Sequence, residues 1–199
     1  MKMTPRKKGR PLSFDRDIAL QKAMMLFWQH GYEATSLNDL TTALEVTPSS
    51  IYSAFGDKKG LFLNAVALYL SGPVTSGTII NEAATAREAA LGLLNAAAIG
   101  FTGKDTPAGC LLASSAISCS VAADDVKVEL AKIRHGIETQ LREKITSSIK
   151  SKQMPAETDA EGLAALTMSI IQGMSTLARD GAPREKLLKV VEAAMKIWQ

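Results

Sequence analysis

The run from residue 35 to 59, TSLNDLTTALEVTPSSIYSAFGDKK, decides the fold. Ser36 is a good N-cap for a short helix in which Leu37, Leu40 and Leu44 recur at i, i+3 and i+7 and so share one face. After a tight turn at Glu45 and Val46, Thr47 caps a second helix with Pro48 at its first position, where a missing N–H costs nothing. Ile51 and Phe55 fall at i and i+4 on its inner side, which leaves Thr47, Ser49, Ser50, Tyr52 and Ser53 outside. A face so rich in hydroxyls, on a helix too short to stand alone, is poor core material. It suits hydrogen bonding to phosphates and base edges in a major groove, as the second helix of a helix-turn-helix does.

Together with the preceding LFWQHGYEATS, this run resembles the N-terminal domain of the TetR/AcrR family of transcriptional regulators. The positions that carry the resemblance are Phe27, Gly31, Tyr32, Thr35, Ser36, Tyr52, Phe55, Asp57, Lys58 and Lys59. Two positions depart from the pattern. The turn lacks its usual glycine, so Glu45 or Val46 must take the left-handed conformation, and Pro48 and Ser49 replace small and basic residues, which makes the base-reading surface particular to this subgroup. The resemblance implies DNA contacts from Thr35, Ser36, Thr47, Pro48, Ser49, Ser50 and Tyr52, and for Lys58 and Lys59 at a helix N-terminus it favours a phosphate contact over an ordinary solvated pair.

The chain of 199 residues is 46% hydrophobic, enough for a substantial core, and rich in Ala and Leu without alternating strand patterns, so an all-α fold is expected. No apolar run approaches the roughly 20 residues of a membrane span, and no signal-peptide core is present, which predicts a cytoplasmic protein that does not engage a membrane. The net charge is +3, but residues 1–14 hold Lys2, Arg6, Lys7, Lys8 and Arg10 with no acidic residue, and the remaining 185 sum to −2. Such a tail is either a solubilising end or an arm along the DNA minor groove. Its place before a helix-turn-helix favours the arm, with Arg10 as the residue that enters.

Punctuation divides the chain into a flexible basic arm (1–14), a three-helix DNA-binding domain (15–60) and a larger helical ligand-binding and dimerisation domain (61–199), with about nine helices. The first helix runs from Phe14 or Asp15 to His30, ends at Gly31 and carries Leu20, Ala23, Met24 and Phe27 as its stripe, leaving Trp28 and His30 as surface or boundary residues. A helix from Asp57 to about Leu70 bridges the domains, and Ser71, Gly72, Pro73 and Gly77 read as a break. Capping boxes at Thr85 with Glu88 and at Thr158 with Glu161 open two later helices, and a long helix from Asp124 or Asp125 carries a regular apolar stripe from Val126 to Ile149. Leu163, Leu166, Ile170, Met174 and Leu177 make the core stripe expected for the penultimate helix, with Met168, Ile171 and Ser175 on a second, exposed side.

That second apolar side needs a partner. Members of the family pair their last two helices into an intersubunit four-helix bundle, so the resemblance implies a homodimer through Ile171, Gly173, Leu188, Val191 and Met195. It also implies a small-molecule effector inside the second domain. Phe101, Cys110, Leu111, Ser114, Ile117, Ile133, Ile137, Met168 and Met174 offer a mostly apolar lining with few polar groups, although each could equally serve as core. His135 and Arg134 could supply polarity to that lining, although Arg134, His135 and Glu138 read more readily as a solvated face of the long helix.

Cys110 and Cys119 are nine positions apart, which on one helix places them on opposite faces about 13 Å apart, so no disulfide within a subunit is expected. Cys110 follows a glycine at a helix start, where the helix dipole would lower its pKa, and this raises thiol-based redox or electrophile sensing as an alternative. An enzyme using Cys110 or Ser114 with His135 finds no nucleophile elbow, glycine-rich phosphate loop or metal-ligand set, and no cofactor is implied. An architectural DNA-binding protein would not need the large second domain. The reading that remains is a ligand-responsive repressor of a palindromic operator on double-stranded DNA.

Overall fold

The computed structural model describes residues 14–115, 120 and 123–198. Arg10, Ile117 and Cys119 lie outside them, as does the basic arm apart from Phe14. Among the described residues the structure is all-helical: α1 (Arg16–His30), α2 (Leu37–Leu44), α3 (Pro48–Phe55), α4 (Lys58–Leu70), α5 (Ser76–Glu82), α6 (Ala86–Gly100), α7 (Leu111–Ser114), α8 (Asp124–Lys150), α9 (Ala160–Arg179) and α10 (Arg184–Ala194), closed by a 3-10 turn at Met195–Ile197.

The first three helices are set by local chemistry. Asp15 caps α1 by accepting from the Asp17 and Ile18 amides. Ser36 and Asp39 form a reciprocal capping box on α2, and Thr47 accepts from the Ser50 amide with Pro48 in the first turn of α3. Glu45 takes the left-handed conformation, φ 57° and ψ 41°, that a glycine would take at lower cost. Beneath them lies an aromatic cluster. Phe27 meets Phe62 edge-on with ring centroids 5.0 Å apart, Tyr32 lies 5.0 Å from Phe62, and Phe27, Phe62, Leu40 and Ile51 are fully buried.

Helix α4 packs along α1 and enters the second domain, where α6, α8, α9 and α10 surround a core of Leu94, Leu130, Leu141, Ile145, Met174 and Leu187. Thr85 and Glu88 form the expected capping box. Helix α9 instead starts one residue later than the Thr158 box would place it, because the Asp159 carboxylate takes the Gly162 amide. Helix α5 occupies part of the expected break: Thr75 and Thr78 cap it reciprocally, and a Cβ on Gly92 of α6 would lie only 2.7 Å from Ile79, so the two helices pack closely. Its seven residues, with three β-branched side chains and a neighbouring Gly-Pro, carry little helical signal of their own.

Two further readings change. Trp28 is buried, not peripheral: its indole donates to the Gly109 carbonyl at 3.0 Å. On α9 the inward stripe is Ala164, Thr167, Met168, Met174, Ser175 and Ala178, whereas Leu166 is 39% exposed and Leu163, Ile170 and Leu177 are half-buried. Small residues face inward there because neighbouring segments approach closely, and the hydroxyl-bearing ones are satisfied, Thr167 one turn back within α9 itself and Ser175 from the segment that opens α7. Thr167 bonds the Leu163 carbonyl and Ser175 receives the Cys110 amide, at 2.8 Å each.

Candidate functional site

The outer face of α3 is open. Thr47, Pro48, Ser49, Tyr52 and Ser53 are exposed, and the Thr47 hydroxyl lies 2.9 Å from that of Ser49 and 3.0 Å from that of Ser50. Ser36 is exposed but engaged with Asp39 at 2.6 Å. Hydrogen bonds from Ser36, side chain first and then backbone, hold the Asp39 carboxyl below its ordinary pKa. Thr35 is buried, and its hydroxyl donates to the Gly31 carbonyl at 2.7 Å, closing the turn after α1.

The two lysines that open α4 part ways. Lys58 lies with its ammonium 4.5 Å from the centre of the Tyr32 ring and 3.5 Å from the Glu33 carbonyl, and desolvation lowers its pKa. Lys59 is paired with Asp125 at the start of α8, 2.5 Å away. Both sit beside a junction between the domains that the sequence pattern did not reveal. The Ser120 amide donates to Glu33 at 2.7 Å, the Tyr32 amide to the Ser115 carbonyl at 3.3 Å, and Arg179 of α9 to the carbonyls of Trp28 and Gln29. Gly109 must be glycine here, with φ +82° and a Cβ position 2.8 Å from the Ser175 carbonyl.

Behind the junction the second domain holds a partly open cavity of about 210 Å³. Of the expected lining, Phe101, Cys110, Ile137 and Met168 border it. Leu111 and Met174 are instead fully buried packing residues, and Ile133 packs half-buried against the core. Ser114 donates to the Cys110 carbonyl and faces a separate surface groove with Gly173. The remaining wall includes Tyr69, Ile79, Ile171, Gln172 and Arg134. Arg134, expected on a solvated face, instead reaches across with its guanidinium to donate to the Leu112 carbonyl at 2.6 Å. His135 is exposed and does not border the cavity, so no array with Cys110 and Ser114 is assembled there. The Tyr69 hydroxyl donates to the Cys110 sulfur at 3.7 Å. Burial pushes the Cys110 thiol pKa up, the reverse of the expected helix-dipole effect, since α7 is only four residues long.

Comparison with known proteins accounts for both parts. The profile described as bacterial regulatory proteins, tetR family, matches residues 19–65, and the tetracyclin repressor-like C-terminal domain matches residues 89–194. The HTH-type transcriptional repressor ComR of Escherichia coli (strain K12) is 37% identical over 194 residues, covering 96% of this chain and 92% of that protein.

The chain belongs to the TetR family.

A second repressor from the same organism, BdcR, is 28% identical over 187 residues, covering 94% of this chain and 90% of BdcR. Among solved structures, a cysteine mutant of the TetR-family regulator CifR, complexed with 26-bp operator DNA, superposes with a TM-score of 0.89 at 40% identity. That match covers 96% of this chain and all of the other. Against this TetR framework, the residues expected at a dimer face lie in three kinds of environment. Val191 and Met195 are buried within the subunit. Ile171 borders the cavity, and Leu188 is half-buried. Gly173 is exposed, and a Cβ there would meet nothing within 4 Å. Leu166 and Ile197, 39% and 56% exposed, are apolar surface.

Proposed function

We propose that this protein is a homodimeric, sequence-specific DNA-binding repressor, released from a palindromic operator when a small, mostly apolar molecule occupies the second-domain cavity. The observation that carries the reading is the open, hydroxyl-rich face of α3 on a three-helix support, in a chain 40% identical to a regulator solved on its operator. Thr47, Ser49, Ser50 and Tyr52 supply donors and acceptors for phosphates and base edges, and Lys58 reaches a phosphate by leaving the Tyr32 face. The basic residues before Phe14, Arg10 among them, serve as a minor-groove arm.

A dimer reads two half-sites about 34–36 Å apart, or a multiple of that, so the spacing of its two α3 helices controls affinity. The surface of α9 around Leu166, Ile170 and Gly173, with Leu188 of α10, supplies the self-complementary face. Cavity and DNA helices are joined by more than α4. Tyr69 on the cavity wall packs on Trp28, and α7, whose Leu112 carbonyl is held by Arg134, runs into Ser115, which bonds both Tyr32 and the Phe27 carbonyl. A ligand that binds one arrangement of these contacts better than the other shifts the spacing. About 1.4 kcal/mol of such coupling gives a tenfold loss of DNA affinity.

A thiol sensor on the same fold draws support from the place of Cys110 on the cavity wall, but a buried thiol with a raised pKa is a poor nucleophile at neutral pH. The repressor reading is tested by selecting duplexes from a random pool with the purified full-length protein. Enrichment of an inverted repeat bound by an even number of subunits supports it; a pool that stays random after repeated rounds refutes it.

A further inference from the structure

Among the described residues the cavity wall carries one formal charge, and its sign is positive. Tyr69, Leu93, Phe101, Ile137 and Met168 make its wall mostly apolar, no aspartate or glutamate among the described residues borders it, and Arg134 of α8 does. Arg134 forms no ion pair among the described residues, and its single hydrogen bond there, to the Leu112 carbonyl, engages one nitrogen of a planar fork that offers five donors. A guanidinium beside an apolar space, with most of its donors unspent, matches the bidentate geometry of a carboxylate. Gln172 and the 75–76 segment, with Thr75 and Ser76, add neutral polar groups at the same wall.

Volume limits what can accompany the charged group. A void of about 150 Å³ accommodates benzene, so about 210 Å³ accommodates a six-membered ring or a short branched chain with a small head group. We propose that the effector is a small organic monocarboxylate of about eight to ten non-hydrogen atoms, its apolar body against Phe101, Ile137 and Met168 and its carboxylate paired with Arg134. This rests on the reading of the cavity as an effector site and names the class of compound it takes. Pairing also gives the ligand a mechanical handle. A carboxylate that takes over the guanidinium competes with the Leu112 carbonyl, and α7 is the element that ends at Ser115 against α1 and Tyr32.

The test uses benzoate and cyclohexanecarboxylate against their neutral isosteres benzamide and cyclohexanecarboxamide, titrated calorimetrically into the wild-type full chain at neutral pH. The carboxylates bind at least tenfold tighter than the amides; Arg134→Met abolishes this preference without preventing amide binding, and Arg134→Lys retains part of it. Equal affinity for acid and amide in the wild type, which needs no variant to fold, overturns the carboxylate assignment and leaves the effector cavity standing. Failure of all four compounds to bind also overturns it. Fluorescence anisotropy on a selected duplex separates the two readings. Carboxylate binding that leaves DNA affinity unchanged supports the Arg134 site while contradicting its role in release.

Discussion

The indole of Trp28 stands edge-on to the phenol of Tyr69, ring centroids 4.9 Å apart, and through this contact a helix of the DNA-binding domain touches the wall of the cavity. Trp28 is fixed at its other end by the bond from its indole nitrogen to the Gly109 carbonyl, so it spans the junction instead of merely filling it. Trp28→Phe retains an aromatic ring but leaves that buried carbonyl without its donor. We expect a loss of about 1–3 kcal/mol, read from denaturant unfolding, and a smaller effect of ligand on DNA affinity. Unchanged stability together with unchanged ligand response would remove Trp28 from the account.

Glu45 holds a left-handed backbone conformation in the helix-turn-helix turn and makes only a 3.5 Å exposed pairing with Lys22. Glu45→Gly relieves the Cβ strain at a cost in unfolded-chain entropy, and the exposed ion pair it forfeits is worth little. The expected result is a net stabilisation of up to about 1 kcal/mol, measured as a rise in Tm with duplex affinity retained. A fall in Tm contradicts the strain argument.

At the domain junction, Glu33 is held below its usual pKa of 4.5 by hydrogen bonds from Ser120, side chain first and then backbone, and Asp125 below its usual 3.8 chiefly by Lys59. Carboxyls depressed in the folded state stabilise it above their unfolded pKa values, and that contribution is lost as pH falls through the folded ones. Lys59 is shifted the other way: its pKa is raised above 10.5 by the same pair, so its share persists below that value and disappears as pH rises through the folded one. The Tm difference between wild type and Asp125→Asn is therefore expected to be steady near neutrality and to close in acid below pH 3.8. A difference that widens in acid would contradict the assignment.

DNA contacts are separable by salt dependence. Lys58→Ala removes about one phosphate contact and lowers the slope of log affinity against log salt by about 0.9. Tyr52→Phe, which loses a hydroxyl but no charge, weakens binding with the slope unchanged. An unchanged slope for Lys58→Ala would mean that the ammonium stays on the Tyr32 ring in the complex.

The helix-turn-helix was legible because its signals are local. Ser36, Thr47 and Pro48 each act within one turn, and the spacing of Leu37, Leu40 and Leu44 fixes the inner face. Elsewhere the outcome depends on what lies across the interface. Ser175 faces inward because the amide of Cys110, 65 residues away, donates to it, and Trp28 is buried because Gly109, 81 residues away, offers a carbonyl. Arg134 looks solvated on its own helix, and only the approach of α7 turns it into a cavity wall. Helix α5 was hidden because its cap is a pair of threonines following a Gly-Pro.

Central to the account is that an occupied cavity and a bound duplex oppose each other, and filling the cavity from within tests this without a ligand. Ala97 is buried and borders the cavity, so Ala97→Phe places a ring in the effector space. The measurement is the affinity of this variant for a selected duplex by fluorescence anisotropy, beside its circular dichroism and sedimentation. The account predicts a folded dimer that binds at least tenfold more weakly than the wild type. A folded dimer with the cavity filled and wild-type affinity would contradict it.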